Sequence, residues 1–218
     1  MGVLKTVVYD GSMQRQVQQG DTVAGAEVIP ATIATNAITI TGGQLQGGFI
    51  SRSPTAAATD TIDSAANILL AVSGGLGTTG VQNGTSFRVR WLVSTAFATT
   101  VQATANTGVT VTSGAIAASS WKDFLVTVVN GTPPTTQTGN TTNASAVITG
   151  MTAAATAQIS AGMIVTNAVN GLQGTTVLSV QQGVGVTLSG NANATSSFPV
   201  AITFSPVVTV AGIGQGPI

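Results

Sequence analysis

The stretch Phe87-Arg88-Val89-Arg90-Trp91-Leu92-Val93 sets the reading of the fold. Successive side chains of a strand point to opposite faces. Phe87, Val89, Trp91 and Val93 are therefore expected to face a core, with Arg88 and Arg90 on the other side. Two later stretches carry the same β-branched character: Gly108-Val109-Thr110-Val111-Thr112 and Phe124-Leu125-Val126-Thr127-Val128-Val129. Asn83-Gly84, Thr107-Gly108, Ser113-Gly114 and Asn130-Gly131 punctuate them as turns. Short strands at this spacing predict a jelly-roll or β-sandwich-like domain over residues 49–132. One helix is open after Asp60, with Asp63 or Ser64 as its cap. A strand over Asn67 to Val72 is the alternative.

Two further regions flank this domain. Residues 1–48 read as an extended N-terminal arm, with a strand where Ile38 and Ile40 alternate with Thr39 and Thr41. The paired prolines of Gly131-Thr132-Pro133-Pro134-Thr135-Thr136 cannot continue a strand ladder and mark a linker. Beyond it, residues 136–218 read as a second, small β domain. Its strands are expected near Ala146-Val147-Ile148, Met163-Ile164-Val165, Thr176 to Val180, Gly185 to Leu188 and Pro199 to Phe204.

Composition narrows the function. Only 6% of the 218 residues are charged and the net charge is zero, against roughly a quarter charged in an ordinary globular chain. Nucleic acid and anionic membranes both attract clustered Lys and Arg, so neither is an expected partner. The chain has no Cys and no His. That removes disulfides, thiolate nucleophiles, zinc–thiolate sites and the commonest general base. Asp123 is the last ionisable side chain. A surface so poor in charge associates readily, which points to burial against copies of the chain or a partner. The opening Met1-Gly2-Val3-Leu4-Lys5-Thr6-Val7-Val8-Tyr9-Asp10 is not read as a signal peptide, because its short apolar run is broken by Lys5. Synthesis and use without signal-peptide export are expected.

Individual residues divide between sharp and bland roles. Gly75-Leu76-Gly77-Thr78-Thr79-Gly80 fits a dinucleotide-loop spacing, but a turn follows it and no acid lies about 20 residues on. It reads as a surface loop. Asp60 and Asp63 are too few for a calcium site and read as capping or solvated turn residues. Arg88 and Arg90 read either as a solvated face or as interface anchors, since Arg and Trp are enriched at binding hot spots. The candidate interface residues are Arg15, Arg52, Arg88, Arg90 and Trp91. Trp121, beside Lys122 and Asp123, reads as a core aromatic at a strand start. No catalytic residue, cofactor or metal is expected. If the chain were an enzyme, Asp60, Asp63 and Asp123 would be its plausible acids in this domain.

Several of these segments resemble a family. Thr138-Gly139-Asn140-Thr141-Thr142-Asn143-Ala144-Ser145-Ala146-Val147-Ile148-Thr149-Gly150-Met151 resembles a small β module of tailed-phage virion proteins. So do Ile159 to Val165, Gly174 to Val180 and Val186 to Ala192. Thr85 to Arg90 and Gly108 to Val111 are similar to a β domain of phage capsid decoration (cement) proteins and head fibres. Gly20 to Ala26 is similar to the openings of other virion proteins. The resemblance implies a jelly-roll-like fold and symmetric oligomers, with a homotrimer favoured over a dimer. It also implies attachment to the major capsid protein on the capsid exterior, after synthesis in the host cytoplasm. It brings no catalytic residues. A head-fibre or tail-fibre module that binds host glycan is the alternative, and exposed aromatics in the last domain would mark it.

Overall fold

The computed structural model describes residues 32–75 and 80–218, together with the backbone of Val7–Tyr9 and Gln14–Gln16. The chain runs β1 (Val7–Tyr9), β2 (Gln14–Gln16), β3 (Ala37–Ile40), α1 (Gly42–Gln46), β4 (Phe49–Arg52), β5 (Ala58–Ile62) and α2 (Ala65–Val72). Then come β6 (Ser86–Val93), β7 (Thr99–Ala103), β8 (Val109–Thr112), β9 (Ala115–Ile116) and β10 (Ser120–Asn130). It continues as β11 (Thr135–Gly139), β12 (Val147–Thr149), α3 (Ala153–Thr156), β13 (Ile164–Val165) and β14 (Val177–Gln181). It ends with β15 (Gly185–Leu188), β16 (Val200–Ser205) and β17 (Val207–Pro217). The protein is mostly β.

From β3 to β10, successive strands alternate between two sheets. One has the order β4-β6-β10-β17-β8 and the other β3-β5-β7-β9. Strand neighbours within a sheet are therefore often two apart in the chain. The pairs β3/β5, β5/β7, β4/β6 and β17/β8 are parallel. This departs from the expected jelly roll, whose connections are antiparallel. Both sheets feed one hydrophobic cluster: Ile50, Val89, Trp91, Phe124, Val126 and Val208 from the first, Ile40, Ile62, Val101 and Ile116 from the second. The alternation in β6 puts Val89, Trp91 and Val93 in that core and Arg88 and Arg90 outside it. Trp91 meets Phe124 edge to face at 5.3 Å between ring centroids, a favoured aromatic geometry.

After Asp60 the chain forms a helix. Ser64 caps α2 by accepting from the Asn67 amide, and Asp63 accepts from the Ser64 amide and the Asn67 side chain. Helices α1 and α2 touch at Gly42, where a Cβ would lie 2.5 Å from the Asn67 carbonyl oxygen. Only hydrogen fits there.

A second cluster holds Ile148, Met151, Met163, Val165, Leu172, Val186, Leu188, Ile202 and Phe204. It is flanked by the sheets β11-β16-β13 and β12-β15-β14. Core membership divides the chain differently from the sequence boundaries. Ile40 and Leu45, expected in the arm, are fully buried in the first cluster. Val208 and Val210, expected in the second domain, lie there too. Strand β17 returns to pair antiparallel with β10, and Asn130 stands opposite Val207. Residues 131–206 thus leave and re-enter the first sheet at partner positions, as an insertion between two adjacent strands.

The joint is hydrogen-bonded where a Pro-Pro linker was expected. Asn130 is buried; its amide nitrogen donates to Ser160 Oγ and the Ala161 carbonyl, both at 2.9 Å, and its oxygen accepts from the Thr132 amide. Gly131 donates to Asn83 Oδ1. Asn130→Ala takes the donor from the Ala161 carbonyl and the acceptor from the Thr132 amide, and lost buried hydrogen bonds cost about 1–3 kcal/mol. Urea unfolding of the variant is expected to show a loss in that range.

Candidate interface and the buried ion pair

Arg52 sits at a core-facing position of β4 and Asp60 at a core-facing position of β5, so the pair bridges the two sheets. Both side chains are 0% exposed. The guanidinium engages the carboxylate in bidentate fashion, Nε to Oδ2 and Nη2 to Oδ1, each at 2.8 Å. Nη1 also donates to the Ile33 carbonyl at 2.6 Å and Nη2 to the Thr35 carbonyl at 2.7 Å. Trp91 Nε1 donates to Asp60 Oδ2 at 3.2 Å. A buried charge is tolerated when paired and saturated in this way.

This geometry corrects three expectations. Arg52 is not an exposed interface residue, because Asp60 and two carbonyls consume its donors inside the core. Asp60 is neither a cap nor a solvated turn residue. Trp91, also named as an interface candidate, is 0% exposed and lies in the core. The backbone of Arg15 stands opposite Val8 in the β1/β2 pair; its side chain lies outside the described residues. The glycine-rich loop likewise falls largely outside them, at 76–79.

Arg88 and Arg90 do come together with other residues, on the outer face of the five-stranded sheet. Arg90 donates Nε and Nη2 to the two oxygens of Asp123 on β10, at 2.7 and 2.9 Å. Its guanidinium carbon lies 4.5 Å from the centroid of the Trp121 ring. Trp121 is half-buried and does not belong to the core cluster, which corrects its reading as a core aromatic. Its ring covers Gly216 on β17, where a Cβ would lie 2.9 Å from it. The glycine is what lets the indole lie flat on the sheet. Register places Phe49 beside Arg90 and Leu92 beside Trp121 on this face.

The cation is thus fixed by a carboxylate and a ring while Arg90 remains 48% exposed. The hydrogen bonds from Arg90 hold the Asp123 carboxyl below its ordinary range; desolvation opposes them, and the charges of Arg90 and Arg88 reinforce them. A carboxyl depressed in the folded state adds stability that is present above its unfolded pKa and lost as pH falls through the folded one. Wild type is expected to lose this contribution below ~pH 4, and Asp123→Asn to lack it. Urea midpoints measured across that window check the difference.

Lys122 points to the other face. Its ammonium donates to the Ala115 carbonyl at 2.7 Å, lies 5.7 Å from the Phe124 ring centroid, and is pushed below its ordinary pKa by burial. Among the described residues no group of three or more acidic side chains is placed to hold a metal, and no helix is long and apolar enough to cross a membrane. Asp60, Asp63 and Asp123 are each engaged in intramolecular hydrogen bonds.

Sequence reasoning missed the Asp60–Trp91 contact and the role of Trp121. The adjacency of Trp121 to Asp123, opposite Arg90 in a paired strand, was the available signal. No protein-family model, curated protein or solved structure matches the chain.

Proposed function

We propose that the protein is a non-catalytic virion component that decorates and stabilises a tailed-phage capsid by cementing neighbouring capsomers. The observation that carries this reading is the open outer face of the five-stranded sheet. There an exposed Arg90 is held by Asp123 and Trp121, and Arg88 lies beside it. Pre-oriented Arg and Trp side chains are the residue types that dominate binding energy at interfaces. The described acids on which catalysis could draw are occupied in holding the fold. The two larger sheets share one core, and the mostly β architecture suits a component that presents a sheet face to a lattice. On this reading the first unit contacts the major capsid protein, the chain assembles as a homotrimer or dimer, and the inserted unit projects from the capsid exterior. Labelling the protein with a heavy-atom tag and imaging virions tests it. Density on the outer capsid surface is expected, and density confined to the tail contradicts it.

One observation favours a second reading, a fibre module that binds host glycan. Phe204 is buried, but Phe198 is 80% exposed, in the segment leading into β16. This is the exposed aromatic that such a reading requires. Nearby segments supply neutral hydrogen-bonding groups and are tied together: Thr141 N–H to Ser196 Oγ and Asn143 N–H to Thr195 Oγ1. A glycan array with wild type and Phe198→Ala separates the two readings. A hit that disappears in the variant favours the fibre.

A further inference from the structure

We infer that the outer face of the sheet β12-β15-β14 is a self-association surface that takes the same face of a second copy of the chain. The inner side of this sheet is closed: Ile148, Val177, Val186 and Leu188 are buried in the second core. On the outer side, Val147 stands opposite Thr187, and Thr187 opposite Ser179. A bulge between Val177 and Ser179 displaces Leu178. Val147 is 43% exposed and Leu178 59% exposed.

The sheet is blunted at its edges and open on its face. Asn140 and Thr149 exchange backbone hydrogen bonds beside β12. Val177 of β14 bonds through its amide to Met163 and through its carbonyl to Gly162. Strand addition at these positions is blocked, which favours an occupant that packs face to face.

The chemistry selects a second copy. No ionisable side chain follows Asp123, so a partner that brought a charge to this face would desolvate it without a counter-charge. A charge-free face of apolar and hydroxyl groups complements itself under a two-fold operation. Val147 and Leu178 meet apolar neighbours, and the Thr187 and Ser179 hydroxyls each donate and accept. Lys or Glu on the outer face, the usual guard against such contacts, is absent. A three-stranded face is small against the roughly 800 Å² per partner of a stable interface. The contact is therefore weak in solution and strengthens where neighbouring copies are held close on a lattice. In that respect the inference rests on the assembly reading above, and it deepens it by naming the contact between inserted units.

The test is sedimentation equilibrium of the full chain over a wide concentration range. Wild type is expected to show a concentration-dependent doubling of mass, whatever oligomer its first unit makes. Val147→Lys with Leu178→Lys should abolish the doubling, and so should Val147→Glu with Leu178→Glu. An equimolar mixture of the two double variants should restore it. Both positions are exposed, and circular dichroism checks that the fold is kept. Wild type without the doubling, or a double-Lys variant that doubles like wild type, overturns the inference. Capsid co-sedimentation of the same double variants separates the two readings. Capsid binding retained without doubling supports the inference alongside the cement reading; doubling by wild type without capsid binding supports it while the cement reading fails.

Discussion

Arg52→Met is expected to destabilise the folded chain by about 3–5 kcal/mol, the usual result of removing one partner from a buried pair. The variant leaves the Asp60 carboxylate between two sheets with only the Trp91 N–H as a donor among the described residues. It also strips the guanidinium donors from the Thr35 carbonyl and from the Ile33 carbonyl, which keeps the Ser53 N–H. Domain stabilities are typically 5–15 kcal/mol, so the loss is a large share of the whole. Arg52→Met combined with Asp60→Leu should recover much of it, because replacing both charges with apolar groups of similar volume is often near neutral. Recovery stays incomplete, since the Thr35 carbonyl and the Trp91 N–H lose their partners. Urea unfolding of the two variants beside wild type measures both steps. A single variant within about 1 kcal/mol of wild type would show that the pair does not hold the sheets together.

If the chain cements a capsid as proposed, Trp121→Ala is expected to weaken that binding by about thirtyfold or more, the range of a hot-spot residue, while the chain stays folded. The indole lies outside the core cluster, so its loss opens no cavity there. It does remove the platform on which the Arg90 guanidinium rests at 4.5 Å. Arg90→Glu should act in the same direction by placing a second acid beside Asp123. Arg88→Ala, on the same face but without the ring or the ion pair, should have a smaller effect. Quantitative co-sedimentation of the three variants with empty capsids ranks them. An unchanged affinity for Trp121→Ala would move the contact off this face.

The parts of the fold legible in the sequence are those whose burial pattern is apolar. The alternation of β6 read directly, and the Val- and Ile-rich strands of the second unit lie close to where expected. Strand β4 hid itself because its core position is Arg52, and a charged residue interrupts the apolar period that marks a strand. Asp60 hid β5 for the same reason, so the strand and the ion pair were lost together. Strand β17 was obscured by Gly212, Gly214 and Gly216, residues poor in strand propensity. They pair because neighbours on β10 cover them: a Cβ at Gly212 would lie 2.5 Å from Lys122 Cε, and Gly216 lies under Trp121. That cover comes from a strand far away in the chain, which no local pattern reports. The insertion of one unit between β10 and β17 was invisible for the same reason.

On the proposed reading the chain works by burying surface against a lattice. Mixing purified wild type with empty, expanded tailed-phage capsids stripped of external proteins, and measuring co-sedimentation against concentration, tests this reading most directly. Saturable binding at a fixed number of copies per capsid, with raised resistance of the shell to heat, is the predicted result. No binding at any concentration, from a chain that stays monomeric by light scattering, would contradict it.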